Sequence, residues 1–143
     1  MFSQKCKYAI RTILYLAAKS KDGEKMDIKK LSEALKIPTP FLSKILQELV
    51  PKKIISSIKG PKGGFFLTEQ NLQLSVIKII EAIDGLEIFE ACGLGLTSCS
   101  SKYPCPIHND FKIVRDHLKS TFSNQTIQEL AKEINSKRFA LIR

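Results

Sequence analysis

The chain has 143 residues, of which 43% are apolar and 26% are charged. This composition predicts one folded domain, or one domain with a dimerisation segment, and it excludes wholesale disorder. No apolar run approaches the roughly 18 residues of a membrane span, and no signal-peptide segment follows the N-terminus. We therefore expect a cytoplasmic protein without a membrane partner, whose 4 cysteines are ligands or free thiols rather than disulfides.

Positive charge is concentrated in the first half of the chain. Residues 1–69 hold 14 Lys and Arg against 6 Asp and Glu, whereas residues 70–143 hold 9 against 8. So basic a segment indicates a polyanionic partner, most simply nucleic acid. The alternative is that these lysines only keep a small domain soluble, and charge by itself does not distinguish these two interpretations.

Three helices are predicted in the basic segment. Apolar residues at helical spacing predict the first over 4–20. Asp27 is the predicted N-cap of a short second helix, which ends before Pro38 because the residue preceding a proline avoids helical dihedrals. Thr39 is the predicted N-cap of a third helix over 39–50, with a proline in its first turn.

A β-hairpin and two further features follow. Apolar stretches at 53–58 and 65–67 flank a Gly/Pro turn, which predicts the hairpin. The order of helix, short helix, turn, helix and hairpin is that of a winged helix-turn-helix, so the predicted fold class is mainly α with a small β-hairpin wing. Ser75 is the predicted cap of the next helix, which stops at Gly85.

The rest of the chain divides into a loop and two helices. Residues 86–105 are irregular, a long helix is predicted from Pro106, and a capping box at 126–129 opens the last helix. We therefore predict three parts: a DNA-binding winged helix-turn-helix over 1–85, a cysteine-rich loop over 86–105, and a dimerisation helix with a C-terminal helix over 106–143.

The third helix is the predicted recognition helix, because the second helix of such a pair enters the major groove. Side chains that can donate to base edges or phosphates lie on this helix and on the wing tip: Thr39, Ser43, Lys44, Gln47, Lys59 and Lys62. The alternative is a three-helix interaction domain with a solvated hairpin. Helix, hairpin and charge together favour double-stranded DNA as the partner.

The cysteine-rich loop carries a set of soft metal ligands: Cys92, Cys99, Cys105 and His108. Three thiolates and an imidazole suit a tetrahedral zinc ion or an iron–sulfur cluster, and the long spacers are unusual for zinc. Reduced structural cysteines are the alternative. Cys105 and His108 could also form a nucleophile–base pair, but no third orienting group is evident, so we do not expect an enzyme.

Apolar residues recur near heptad spacing along the long helix: Phe111, Val114, Leu118 and Phe122. This stripe is either core packing within one subunit or a dimer seam. We favour a homodimer, because the helix is longer than so small a domain needs, and reading a palindromic operator requires a two-fold axis.

The whole chain resembles the bacterial BadM-type (Rrf-family) winged-helix transcriptional regulators, which include iron–sulfur-sensing and nitric-oxide-sensing branches. The matching segments are 5–10, 37–46, 57–65, 80–85 and 126–130. The wing motif at 57–65 is the most specific of them, with its basic residue, glycine, and later Gly-Gly-aromatic run. Ser43 departs from the pattern, because the iron–sulfur branch carries a glutamate there.

The resemblance implies a homodimeric transcription factor, which we expect to be a repressor, whose cluster state tunes its affinity for DNA. It implies that Cys92, Cys99 and Cys105 are cluster ligands. The histidine-ligated branch places its fourth ligand at His108, which points to a 2Fe–2S cluster, with 4Fe–4S or zinc as alternatives. The spacer after Cys92 is one residue longer than is usual in the family. The carboxylate ligand of the nitric-oxide branch has no counterpart, because no acidic residue precedes Asp22.

Overall fold

The structure, a computed structural model, describes residues 1–20, 23–136 and 140–142. Within these ranges the chain is mainly helical with one two-stranded antiparallel hairpin, which confirms the predicted fold class. The elements are α1 (Gln4–Lys19), α2 (Ile28–Leu35), α3 (Thr39–Leu49), β1 (Ser56–Ile58), β2 (Gly64–Phe66), α4 (Glu69–Leu72), α5 (Ile77–Ile83), α6 (His108–Asn124) and α7 (Ile127–Asn135). No described helix is long and apolar enough to cross a membrane.

The helix-turn-helix differs from its prediction at the start of α3. Asp27 caps α2 as predicted, by accepting a hydrogen bond from Lys30 N. Thr39 is not the N-cap of α3: Pro38 occupies that position, and Thr39 is the first helical residue. The Thr39 hydroxyl instead donates to Ser32 Oγ at 2.9 Å, so it locks the turn between the two helices.

The wing is a short hairpin held by a third segment. Ser57 pairs with Phe65 across the two strands, and Met26 from the loop before α2 exchanges two backbone hydrogen bonds of 2.9 Å with Phe65. The predicted strand at 53–58 is too long, because the preceding residues turn into the core. At the tip, a Cβ on Gly63 would lie 2.0 Å from the carbonyl oxygen of Ile58, so only glycine fits this turn.

The prediction that Ser75 caps a helix is wrong. Val76 is the N-cap residue of α5, without a side-chain cap, and Ser75 forms an antiparallel bridge with Thr126. This bridge ties the start of α5 to the start of α7, where Thr126 and Glu129 form the predicted capping box. Pairing with a segment that is distant in sequence therefore decides the structure of Ser75.

One core holds most of the elements together. Buried residues of α1, α2, α3, α5 and α7 form a continuous cluster, and α7 packs directly on α1. A second cluster forms where Phe2, Cys6 and Phe89 meet, with Leu118 and Phe122 of α6 against it. The division into 1–85, 86–105 and 106–143 stays a proposal, and the last part includes residues 137–139 and 143, which lie outside the described residues.

A buried asparagine anchors the wing to the core. The Asn71 side chain donates to the carbonyl oxygen of Lys53 at 2.8 Å, and its oxygen accepts from Thr68 N at 2.9 Å and from Ser56 Oγ at 3.1 Å. The bonds join the turn after α3, the first wing strand and the short helix α4. Sequence periodicity does not reveal α4, which has only four residues and exists because Thr68 and Asn71 cap each other.

Replacing this asparagine tests the anchor. We expect Asn71→Ala to lower the free energy of unfolding by about 1–3 kcal/mol, because it removes the hydrogen bonds that a buried side chain makes to two backbone groups and to Ser56. Urea unfolding followed by circular dichroism measures the change. Gln70→Ala, at an exposed position one residue earlier, is the control and should change stability little; equal losses from both would show that Asn71 is not special.

Candidate DNA-binding surface and cysteine–histidine site

The polar side chains of α3 lie on its outer face. Leu42, Ile45 and Leu46 are fully buried, so the helix turns Lys44 and Gln47 to solvent. Gln47 Nε2 donates to Ser43 Oγ at 3.3 Å, one helical turn earlier. Thr39 is half-buried, and its hydroxyl hydrogen is donated to Ser32 within the turn. The hydroxyl can therefore accept a hydrogen bond from a partner, but it has no second hydrogen to donate.

The wing tip adds two lysines to this surface. Lys59 and Lys62 are exposed on the turn between β1 and β2. An apolar groove of about 450–500 Å³ lies between the wing and α3, with Gln47, Ile58 and Phe65 in its lining. The recognition helix and the wing therefore flank one concave surface.

The lysines of this surface are available to a partner. The ion pairs of the described residues use Lys5, Lys78 and Lys112, and none of them uses a lysine of α3 or of the wing. Unpaired cations on a concave face attract a polyanion and release its counterions on binding. Of the predicted contact residues, Gln47 and Lys59 line this groove, and the contacts of the whole set with DNA stay a prediction.

The four candidate ligands come together as two pairs. Cys92 Sγ lies 3.8 Å from Cys105 Sγ, and Cys99 Sγ lies 3.3 Å from His108 Nδ1. In residues 1–20, 23–136 and 140–142, no three His, Cys, Asp or Glu side chains converge as a site for one metal ion. The donors are therefore arranged two by two rather than around one centre.

Each pair has the spacing that one tetrahedral metal requires. Bonds of about 2.3 Å to sulfur and about 2.1 Å to nitrogen, at tetrahedral angles, separate two sulfurs by about 3.8 Å and a sulfur from a nitrogen by about 3.6 Å. The observed 3.8 Å and 3.3 Å are close to these values. Each pair therefore has a spacing that would suit two ligands of one metal atom.

The start of α6 links two of these candidate ligands. His108 begins the helix, and its backbone N–H donates to the carbonyl oxygen of Cys105 at 3.0 Å, so a turn that precedes the helix joins the two residues. His108 is buried, and its Nε2 lies 3.3 Å from Ser101 Oγ. A hydroxyl at that distance can fix the tautomer that leaves Nδ1 free to bind a metal.

The other end of the loop is held against the side of α6. A Cβ on Gly93 would lie 2.9 Å from the Phe111 ring, so this glycine allows the backbone beside Cys92 to touch the helix. Arg115, deeper along α6, donates to the backbone carbonyl oxygens of Glu90 and Ala91. The sequence did not predict a role for Arg115: its place seven residues after His108 puts both residues on one helix face, but only the structure shows that it is buried.

Two cysteines differ sharply in acidity. Hydrogen bonds from the backbone of Leu94 and Leu96 lower the pKa of Cys92, which favours the thiolate that binds metals. Burial, with a smaller effect of Asp84, raises the pKa of Cys6 to about 12. Cys6 therefore stays a neutral thiol at physiological pH, and it lies in the second core cluster, away from the ligand pairs.

The predicted dimer stripe on α6 is split by the structure. Leu118 and Phe122 pack against the second core cluster of their own chain, and the Phe122 ring lies edge-on to Phe2 at 5.2 Å. Phe111 and Val114 are exposed, as is Ile113. The apolar surface left open on α6 is thus its N-terminal half.

Comparison with known proteins identifies the family of this chain. A family model named Rrf2, described as an iron-dependent transcriptional regulator, matches residues 2–133. A protein of Aquifex aeolicus named as an HTH-type transcriptional regulator is 30% identical over 91% of this chain and 90% of its own length. The regulator IscR of Pectobacterium atrosepticum is 26% identical over 94% of this chain and 79% of its own length.

A solved structure shares the fold. CymR, the global cysteine regulator of B. subtilis, superimposes with a TM-score of 0.75 over 93% of this chain and 97% of its own, at 19% identity. At so low an identity the likeness concerns the fold alone. The matched relatives are transcriptional regulators and not enzymes, in agreement with the sequence expectation.

Proposed function

The chain belongs to the Rrf2 family of transcriptional regulators, and we propose that an iron–sulfur cluster held by Cys92, Cys99, Cys105 and His108 tunes its affinity for DNA. The observation that carries this proposal is the pairing of the four donors, each pair with the spacing of one tetrahedral metal. Such a cluster supplies a one-electron redox centre whose state or loss can be sensed.

The two pairs favour a 2Fe–2S cluster over the alternatives. Each iron of this cluster takes two protein ligands, which the Cys92–Cys105 and Cys99–His108 pairs would provide. A single zinc ion needs all four donors around one centre, and a 4Fe–4S cluster needs one ligand at each of four irons. The description of the matching family model as an iron-dependent transcriptional regulator supports iron over zinc.

The DNA-binding part of the proposal rests on the concave face between α3 and the wing. Ser43, Lys44 and Gln47 would meet base edges or phosphates in the major groove, with Thr39 as an acceptor at the helix start. Lys59 and Lys62 would reach the adjacent backbone or minor groove. A homodimer would present two such faces to a palindromic operator in the cytoplasm, and it would act as a repressor by covering the promoter.

A thiol switch is the second candidate, and one distance favours it. Cys92 Sγ and Cys105 Sγ are 3.8 Å apart, so a small movement would let them form a disulfide when an oxidant removes two electrons and two protons from the thiols. CymR, which shares the fold, is named as a cysteine regulator. Protein purified without oxygen would then be colourless and would form this disulfide on oxidation.

Two substitutions on the proposed DNA-binding surface distinguish a residue that contacts a phosphate from one that contacts a base. We expect Lys59→Ala to weaken binding to all duplexes and to flatten the salt dependence by about one unit, since one phosphate contact is lost. Gln47→Ala should weaken the discrimination between bases by about 1–3 kcal/mol at one position of the operator. The operator itself is selected from random sequence. Fluorescence anisotropy over a salt series measures both.

Lys132→Ala, an exposed change on α7, is the matched control and should leave DNA binding unchanged. Equal, sequence-independent losses from Lys59→Ala and Gln47→Ala would show that Gln47 reads no base. Binding that is insensitive to both changes would contradict the assignment of this surface.

Substitution of the ligands tests the cluster. Protein purified without oxygen should be brown, and alanine at Cys92, Cys99 or Cys105 should remove its visible absorption. His108→Ala should loosen or lose the cluster, and His108→Cys should keep it at a lower potential, because a thiolate adds negative charge. Cys6→Ala is the control and should leave the spectrum unchanged.

The same preparation separates the alternatives. Colourless protein with one zinc ion per chain would show that the site binds zinc and not a cluster. Colourless, metal-free protein that forms a Cys92–Cys105 disulfide on oxidation would favour the thiol switch. A His108→Ala variant with the wild-type spectrum and potential would place the fourth ligand elsewhere.

The dimer is tested where α6 is exposed, because Leu118 packs within its own chain. Val114 is 66% exposed, so Val114→Glu should not disturb the core, yet it should yield a monomer if this surface is buried between subunits, where an unpaired charge is costly. Sedimentation velocity measures the state. Ser123→Glu, on the opposite face of α6, should stay dimeric; a dimeric Val114→Glu would refute the interface.

A further inference from the structure

An arginine in the middle of α6 is buried, which is rare for this residue type. Arg115 is only 8% exposed, although α6 is mostly exposed along its length. Its guanidinium cannot lose its charge at any physiological pH. The protein therefore keeps a permanent positive charge under its surface at this point.

The surroundings of Arg115 solvate this charge only in part. One terminal nitrogen, Nη1, donates to the carbonyl oxygens of Glu90 at 3.0 Å and Ala91 at 2.8 Å. The Nε–H group is buried without a hydrogen-bond partner among the described residues. Buried polar groups of this kind are uncommon in native proteins and call for a physical reason.

Arg115 forms no ion pair within the part of the chain that the structure describes. The ion pairs there are Lys5–Glu48, Lys78–Glu81 and Lys112–Asp116. Asp116, the next residue on α6, pairs with Lys112, and Arg115 makes only a smaller contribution to the lowered pKa of Asp116. A buried charge without an ion pair is costly, so an anion close to the guanidinium would stabilise the folded chain.

The place of Arg115 identifies that anion. Its two acceptors immediately precede Cys92, and Arg115 lies on the same face of α6 as His108, two turns along the helix. The guanidinium is therefore bonded to the backbone that leads into Cys92, and it projects from the same helix face as His108. A 2Fe–2S cluster with three thiolates and one neutral imidazole would carry one net negative charge when oxidised and two when reduced.

We propose that Arg115 is the counter-charge of this site and the anchor of its Cys92 end. The inference rests on the proposed function, since the anion is the cluster. A fixed positive charge favours the more negative, reduced form, so Arg115 raises the reduction potential of the cluster. Its two hydrogen bonds also fix the backbone from which Cys92 projects, as partners outside the ligand shell commonly do.

Two substitutions separate charge from hydrogen bonding. Arg115→Gln keeps a donor for the carbonyl groups but removes the charge, whereas Arg115→Lys keeps the charge. We expect Arg115→Gln to shift the midpoint potential to a lower value, measured by spectroelectrochemical titration of the full-length protein under nitrogen. Arg115→Lys should stay near the wild-type potential. Lys112→Gln, one turn earlier and exposed, is the matched control and should shift it little.

Thermal unfolding of metal-free and cluster-loaded protein gives a second measurement. Arg115→Gln should lower the melting temperature of the loaded protein more than that of the metal-free protein, because only the loaded form contains the anion. A purely structural arginine would lower both equally.

The outcomes distinguish this inference from the proposed function. Wild-type protein that holds no cluster would overturn both. A wild-type cluster whose potential is the same in Arg115→Gln, or is shifted equally by Lys112→Gln, would overturn the role of Arg115 alone. If Arg115→Gln fails to fold, a lowered potential in Arg115→Lys would also contradict the proposal.

Discussion

The burial of α1 on nearly every side is the constraint on which the rest of the structure depends. Ala9, Ile13 and Leu16 are fully buried, and α2, α3, α5 and α7 all pack against this one helix. Burying an Ile or Leu side chain stabilises the fold by about 1.5–3 kcal/mol. This helix, which carries no predicted function, therefore positions the recognition helix α3 directly and α6 through α5.

Residues at and just before the start of α1 pack near both candidate sites. Near its N-terminus, Phe2 and Cys6 pack with Phe89, which lies just before the cysteine loop, and Ser3 donates its backbone N–H to Asp84 at the end of α5. Along the same helix, the Tyr8 ring lies edge-on to Phe41 of α3 at 5.6 Å. The site and the recognition helix are thus built on one tightly packed core, in which a displacement at one end meets little free volume.

Local patterns predicted most of the fold, because their causes are local. Helical spacing of buried residues predicted α1, and the capping box of Thr126 with Glu129 predicted the start of α7. The turn at Gly63 follows from the approach of one carbonyl oxygen. Ser75 and Thr39 were misassigned because their partners, Thr126 and Ser32, come from other segments, and such pairings are not encoded in local propensity.

The candidate ligands were predictable from the sequence, but their arrangement in space was not. Spacing predicted Cys92, Cys99, Cys105 and His108 as candidates, yet it left zinc and a cluster open, because spacing does not state which donors approach each other. The structure pairs them two by two. Arg115 was not predicted, because an arginine on a long polar helix is ordinarily exposed. Only the structure shows that this arginine is buried.

The surface of α6 links assembly to the ligand site. Leu118 and Phe122 pack within the chain, and the open part of α6 includes Phe111, which lies against Gly93 beside Cys92. Exposed Leu94 and Leu96 extend this apolar surface onto the loop itself. A second subunit that buries the open half of α6 would therefore rest against the segment that holds the ligands, so that a rearrangement of the loop would alter the contact between the subunits.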